Sequence, residues 1–268
     1  MSEGEKDKDS MKNILTISLM VCFACSIVVS SAAVFLKPQR EANKDLDRNK
    51  NILEAAGLYD KEATQDLNIS LEFEKFEIRV VDLQEKRVLS DVEAADLGID
   101  SRSYDQRKAS KNPEMSESLE SEEDIASISR RARYSILYLL KEDGDIKKVV
   151  LPVHGYGLWS TLYGFVALRG DMNTISGITF YEHGETAGLG GEIDNAGWKA
   201  QWAGKKIYNE EGVALKVIKG VADAGSSDFK YQIDGLSGAT LTSRGVENLV
   251  TYWMGDEGFG PILDDFRG

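Results

Sequence analysis

Between Ile14 and Leu36 the chain reads ILTISLMVCFACSIVVSSAAVFL, 23 residues without a charge, a proline or a glycine. As an α-helix rising about 1.5 Å per residue, this run reaches about 34 Å, enough to cross a hydrocarbon core about 30 Å thick with slight tilt. It divides the chain into a short tail (residues 1–13), a transmembrane helix (14–36) and a long remainder. A cleaved signal peptide is the rival reading, since Ser31, Ala32 and Ala33 are small. The run, however, exceeds the roughly 7–15 apolar residues of a signal core and ends on Lys37 with no polar release region. Lysine and arginine are balanced about the helix, with Lys6, Lys8 and Lys12 before it and Lys37, Arg40 and Lys44 after it. Charge bias therefore gives no orientation. With only a dozen residues ahead of the helix, translocating the C-terminal portion is the simpler arrangement. The expectation is a single-pass membrane protein, its C-terminal domain outside the cytoplasm and membrane lipid around its anchor.

Both cysteines, Cys22 and Cys25, fall in the apolar run, so no disulfide, zinc or iron–sulfur site can be built from cysteine beyond it. Their spacing resembles a redox motif, but in an apolar helix two small soft side chains fit packing better. The net charge of −13 and the lack of a dense basic patch disfavour nucleic acid as a partner.

Residues 37–70 read as a membrane-proximal helical linker, with Leu46, Ile52, Leu53 and Ala56 near helical spacing and a stop at Gly57. A domain is expected over 71–268. Alternation over 71–83 predicts a strand. Residues 98–125 turn Ser-rich and acidic with few apolar anchors, which predicts an exposed, partly disordered insertion. Short β-rich runs follow at 133–140, 147–153, 163–169 and 175–181, then a helix over 198–208, strand character at 213–220, and a helix over 243–254 with Thr242 as its N-cap. The sum is an α+β fold with a largely antiparallel sheet. No G-x-G-x-x-G follows a strand, so a nicotinamide site in this chain is disfavoured.

Three stretches carry candidate chemistry. DGLSGAT, Asp234–Thr240, leads into the last predicted helix, whose unpaired N–H groups and dipole favour a phosphate beside Thr240, Leu241 and Thr242. YEHGETAGLGGEIDNAGW, Tyr181–Trp198, combines His183, Glu185 and Thr186 with closely spaced glycines that let backbone amides approach a planar or anionic ligand. GYGLWSTLYGF, Gly155–Phe165, offers Trp159 as a partner for a ring face. On local grounds alone, a polar turn, a surface loop and core aromatics account for the same residues.

Taken together, GYGLWSTLYGFVAL, ITFYEHGETAGLGGEIDNAGWKAQWAGK, DGLSGATLTSRGV and NKNILEAAGL resemble NqrC, the flavin-bearing C component of the bacterial sodium-translocating NADH:quinone reductase. The resemblance covers the anchor and nearly all of the remainder, leaving out the acidic segment near 98–125. The flavinylation pattern D-x-x-(S/T)-G-A-(S/T) is met by Asp234, Ser237, Gly238, Ala239 and Thr240. The G component of the Rnf-type ferredoxin:NAD complex shares the anchor and this pattern but resembles the chain less in the GYGLWSTLYGF and NILEAAGL segments.

The resemblance implies an FMN-binding domain that carries FMN covalently on Thr240, attached from FAD by a separate flavin transferase to which Asp234 helps present the loop. It implies flavin contacts from Glu185, Thr186, Leu189 and Gly190, and a lysine near the flavin or phosphate at Lys219, whose charge would favour an anionic reduced flavin. Ala187 stands where the family usually has proline, which loosens one φ constraint in that loop. The implied role is an electron relay with no catalytic residue and no metal of its own. It would work among the other subunits of the reductase complex (A, B, D, E and F), which together move electrons from NADH to ubiquinone with sodium export. A non-redox membrane-anchored scaffold and a self-contained flavin reductase are the readings from other classes.

Overall fold

The computed structural model describes residues 11–60, 64 and 66–267. Residues 1–10 of the expected tail, and positions 61–63 and 65 of the expected linker, lie outside the described residues. Helix α1 (Met11–Ala55) is followed by α2 (Ile69–Phe73), β1 (Phe76–Asp82), β2 (Arg87–Val88), α3 (Asp91–Asp96), α4 (Gln106–Ala109), β3 (Ser116–Ser118) and β4 (Arg130–Ala132). Next come β5 (Tyr134–Glu142), β6 (Asp145–Tyr156), β7 (Thr161–Arg169), β8 (Ile175–Glu182), α5 (Ala196–Ala200), β9 (Tyr208–Asn209) and β10 (Gly212–Val213). The chain closes with β11 (Lys216–Ile218), β12 (Gln232–Asp234), α6 (Thr240–Met254) and α7 (Gly260–Arg267). Two compact units result, Met1–Asp47 and Arg48–Gly268.

The first unit holds the apolar part of α1. Every described residue from Met11 to Leu36 is exposed, and the helix is long and apolar enough to cross a membrane. Side chains such as Phe23, Val28 and Phe35, at 70%, 68% and 83% exposure, would each forfeit about 1.5–3 kcal/mol of transfer free energy in water. Lipid removes that cost.

The second unit is built on a six-stranded sheet in the order β2-β1-β5-β6-β7-β8, antiparallel at every pairing. Its inner strands are buried on both faces because both alternating sets of side chains are apolar. On β5, Leu137 and Leu139 join a cluster with Val246, Leu249, Val250 and Trp253 of α6. Ile136, Tyr138 and Leu140 join a second cluster with Ile52 and Leu53 of α1 and Phe73 of α2.

The end of α1 is therefore part of this unit's core. Gly57, at φ +69°, closes the helix, with Leu58 N–H donating to Leu53 O at 2.8 Å and Gly57 N–H to Glu54 O at 2.9 Å. That pair of bonds is the Schellman arrangement, and it places a glycine where a Cβ would be strained. Thr179 Oγ1 donates to Asn51 O at 3.2 Å. At Gly177 a Cβ would lie 2.6 Å from Ala55 O, so the helix end comes down onto β8 only because that residue is glycine.

Several sequence expectations are corrected. The strand begins at Phe76, not at 71, because Asn68 accepts from Leu71 N–H at 3.2 Å and starts the helical turn α2. The helix expected over 198–208 stops at Ala200 and continues as turns, although Trp198 and Trp202 both reach the core. Residues 98–125 are folded. Ile99 and Ala109 are buried, β3 pairs with β4, Tyr104 Oη donates to Tyr134 O at 2.9 Å and Ser135 Oγ donates to Gln106 Oε1 at 2.8 Å. Arg107 makes two bonds to Glu182, at 2.7 and 2.8 Å, with its guanidinium 4.0 Å over the Tyr163 ring. Polar side chains thus add to the few apolar anchors of this segment, whereas its acidic residues Glu114, Glu120, Glu122 and Glu123 stay exposed.

Candidate functional site

Helix α6 starts at Thr240, three residues earlier than expected, and its N-cap residue Ala239 offers no side chain to the first-turn N–H groups. The turn before it needs Gly238, which sits at φ +73°. Four hydroxyls lie close together in sequence here, and the fold separates them. Ser237 and Thr240 are exposed, while Thr242 and Ser243 are buried. Ser243 Oγ accepts from Leu236 N–H at 2.9 Å, and Thr242 Oγ1 donates to Glu185 Oε2 at 2.7 Å. Thr242 is thus a buried partner of Glu185 and not the helix cap.

Glu185 is the point at which the three Gly-rich stretches meet. Its other oxygen, Oε1, accepts from the backbone N–H groups of Leu158, Trp159 and Ser160 at 3.1, 2.9 and 3.3 Å. Burial pushes this carboxyl up, but the bonds from Thr242 and from the Trp159, Leu158 and Ser160 N–H groups outweigh burial and hold it below the usual carboxylate range. Glycines clear the space it fills: a Cβ at Gly157 would lie 2.7 Å from Oε1, and one at Gly190 would lie 2.7 Å from Oε2 and 2.5 Å from Thr242 Oγ1. His183 holds the approach to Glu185, with Nε2 2.8 Å from Asp194 Oδ2 and Nδ1 accepting from Glu185 N–H at 3.2 Å. The loop's shape does not depend on a proline at Ala187, because Thr186 O accepts from Leu189 and Gly191 N–H at 3.1 and 2.9 Å.

The remaining expected residues fall around this centre. Leu189, 44% exposed, lies against the 238 turn, its Cδ2 3.1 Å from where a Gly238 Cβ would be. Trp159 is 66% exposed and Leu241 53% exposed, and Thr186 is exposed as well. Asp234 ties down the segment after β11: its Oδ1 accepts from Ala222 N–H at 2.8 Å, and β12 pairs in parallel with β11, opposing Asp234 to Ile218. Lys219 follows that pair on the loop closed by Asp234, with an exposed side chain. Thr242, expected as the helix cap beside the phosphate, joins the centre instead as the partner of Glu185, and Ser160 and Gly157 complete it without having been picked out from sequence. Only membership of the Gly155–Phe165 stretch hinted at Ser160 and Gly157.

The arrangement fits a nucleotide phosphate and ring. An exposed hydroxyl stands at an uncapped helix start, where N–H groups and dipole favour an anion. Exposed Trp159, Leu189 and Leu241 offer apolar surface from three segments. Among the described residues no group of three His, Cys, Asp or Glu side chains is placed to hold a metal ion.

Fold and site together define an FMN-binding domain, the family that matches residues 157–255, a span containing every residue discussed above from Gly157 to Thr242. Over 262 residues the chain is 46% identical to the C component of the Na(+)-translocating NADH-quinone reductase of Pseudomonas aeruginosa, covering 97% of this chain and 98% of that one. It is 47% identical to the corresponding protein of Vibrio parahaemolyticus, covering 97% of each. The crystal structure of Shewanella oneidensis NqrC matches with a TM-score of 0.74 at 33% identity, over 84% of this chain and 99% of that one. The crystal structure of the counterpart from Parabacteroides distasonis shares the fold, with a TM-score of 0.60 at 23% identity over 85% and 96%. The chain belongs to the NqrC family, the C components of Na(+)-translocating NADH-quinone reductases. That membership sets aside the Rnf relative, and the FMN-binding domain sets aside a non-redox scaffold.

Proposed function

We propose that the chain is the membrane-anchored electron relay of a Na(+)-translocating NADH-quinone reductase, with FMN esterified through its phosphate to Thr240. The observation that carries this reading is the exposed Thr240 hydroxyl at the uncapped start of α6, with Thr242 and Ser243 buried and already bonded. Bound FMN supplies one- and two-electron redox chemistry. Thr240 fixes the phosphate, and the first-turn N–H groups of α6 neutralise part of its charge. Gly238 gives the turn the backbone angle that brings Thr240 to the surface. Trp159, Leu189 and Thr186 would border the ring, with Glu185 and Gly190 beneath them. Asp234 holds the loop from which Lys219 reaches toward the cofactor as a cation.

As a relay the domain needs no catalytic residue. His183, tied between Asp194 and the Glu185 backbone, is occupied with loop geometry. The partners of this reading are the other subunits of the reductase (A, B, D, E and F) and, during maturation, a flavin transferase. The α1 anchor lies in the inner membrane, and the second unit faces the periplasm. Protease digestion of the domain in sealed vesicles of known sidedness tests the orientation.

Intact mass tests the ester, because FMN on a hydroxyl adds ~438 Da, the nucleotide less one water. Thr240→Ala should abolish ultraviolet flavin fluorescence on a denaturing gel while the protein stays folded. A covalently fluorescent Thr240→Ala band would reject the site. Lys219→Met should keep the flavin attached and lower its reduction potential, and an unchanged redox titration would remove Lys219 from that role.

A further inference from the structure

We propose that Glu185 is a positioning residue whose buried carboxylate fastens the Trp159 loop to the first turn of α6, and so fixes where the indole stands relative to the group on Thr240. This rests on the reading of Thr240 as the flavin site. Glu185 is 8% exposed, and both its oxygens are engaged by the protein. Three consecutive N–H groups of residues 158–160 converge on one, and the Thr242 hydroxyl occupies the other. Four of the protein's own donors thus fix the carboxylate in place.

The loop that it holds is the turn between β6 and β7, closed by Gly157 N–H donating to Ser160 O at 2.8 Å. Leu158 and Trp159 direct their side chains to solvent, at 37% and 66% exposure, so the core does not dictate their placement. Ser160 Oγ accepts from Gly184 N–H at 2.6 Å, and Tyr156 Oη donates to Trp159 O at 3.3 Å. Beside these neutral bonds, Glu185 supplies three charge-assisted ones to the same short segment, each stronger than a neutral bond. Thr242 lies two residues beyond Thr240 on a rigid helical turn. The chain of contacts thus runs from the Trp159 backbone through one side chain to the turn bearing Thr240. Gly157 and Gly190 make it possible, since a Cβ at either would displace the carboxylate. The device positions an exposed aromatic rather than filling the core, because the core beneath is formed separately by Leu162, Val246 and Leu249.

The test uses the full chain, coexpressed with its flavin transferase and purified in detergent. Covalent flavin is read on a denaturing gel, and flavin fluorescence is read in the native protein, where a nearby indole quenches it. Glu185→Ala should keep the covalent band while native flavin fluorescence rises several-fold, to the level of Trp159→Ala. The double variant Trp159→Ala/Glu185→Ala should rise no further. Glu185→Gln should remain at the wild-type level, because its amide can accept from the three N–H groups and donate to Thr242 Oγ1. Wild-type quenching in Glu185→Ala, no change in Trp159→Ala, additive effects in the double variant, or Gln behaving as Ala would each overturn the proposal. Should Glu185→Ala fail to fold, Thr242→Val, which cuts one side of the latch, decides in the same way: a partial rise supports it and unchanged quenching overturns it. A wild-type protein without the covalent band would instead fault the Thr240 reading.

Discussion

His154 shows how a single side chain in this domain converts burial into pH dependence. Its ring stacks on Tyr163, centroids 5.6 Å apart, and packs against Trp253 at 4.9 Å. Burial, with the nearby Arg107 charge, pushes its pKa from 6.5 down to about 4. The folded state thus resists a proton that the unfolded chain accepts. Stability from this residue is complete above about pH 6.5 and is lost as pH falls toward 4, in total about 3 kcal/mol at ~1.4 kcal/mol per unit. Chemical denaturation between pH 7 and 4.5 should show the loss, and His154→Gln should remove that part of the slope. Equal slopes in the two proteins would contradict the assignment. Gly238 gives a second test. At φ +73° an alanine pays about 1–2 kcal/mol, so Gly238→Ala should lower the melting temperature and shift the turn bearing Thr240. At this scale the sequence was legible where chemistry is local: five fixed positions within Asp234–Thr240 identify the turn. The partners of Glu185 were not legible, because they lie 26 and 57 residues away at Trp159 and Thr242, and no spacing rule links a carboxylate to a distant hydroxyl.

At the scale of elements, the site is held by the contact between α6 and the end of β6. Gly245 on the helix faces Tyr156 and Gly157 so closely that a Cβ would sit 2.5 Å from Tyr156 O and 2.9 Å from Gly157 Cα. A methyl group there forces the helix off the strand. Gly245→Ala should therefore cost about 1–3 kcal/mol, the range for overpacking a tight contact, and thermal denaturation would measure it. An unchanged melting temperature would mean that the helix can lift without penalty. The central strands β5 to β8 were readable as apolar, β-rich runs between turn residues, as was the buried face of α6 with Val246, Leu249, Val250 and Trp253. The failures have local causes. Asn68 captures Leu71 N–H and turns an alternating stretch into α2. The segment after Ala200 is amphipathic enough for a helix, yet it is drawn to the β8 side, where Ile175 N–H donates to Lys205 O and Gly204 N–H to Ile175 O. Residues 98–125 looked disordered because Tyr104, Gln106 and Arg107 hold them through polar groups that a count of apolar anchors overlooks.

Across the whole molecule, α1 belongs to two environments in turn. Its apolar run is suited to lipid, whereas Ile52, Leu53, Ala55 and Ala56 are fully buried in the second unit. This end is also bonded there, through Thr179 to Asn51 O, Lys199 to the Glu54 carboxylate and Lys148 to Ala56 O. The last turns of the helix are thus a structural part of the domain and more than a tether. Two truncations separate these roles. A chain beginning at Arg48 loses the apolar run and keeps every one of these contacts, so it should be soluble and fold cooperatively. One beginning at Tyr59 loses the burial of Ile52 and Leu53 alone at about 1.5–3 kcal/mol each, before any bond is counted. A loss of about 3–6 kcal/mol is a large share of the roughly 5–15 kcal/mol that holds a domain folded. Urea unfolding of the two proteins should give a markedly lower midpoint for the shorter one, or no cooperative transition at all. Equal midpoints would mean that the sheet face covered by the helix end closes over by itself, and that α1 is an anchor only.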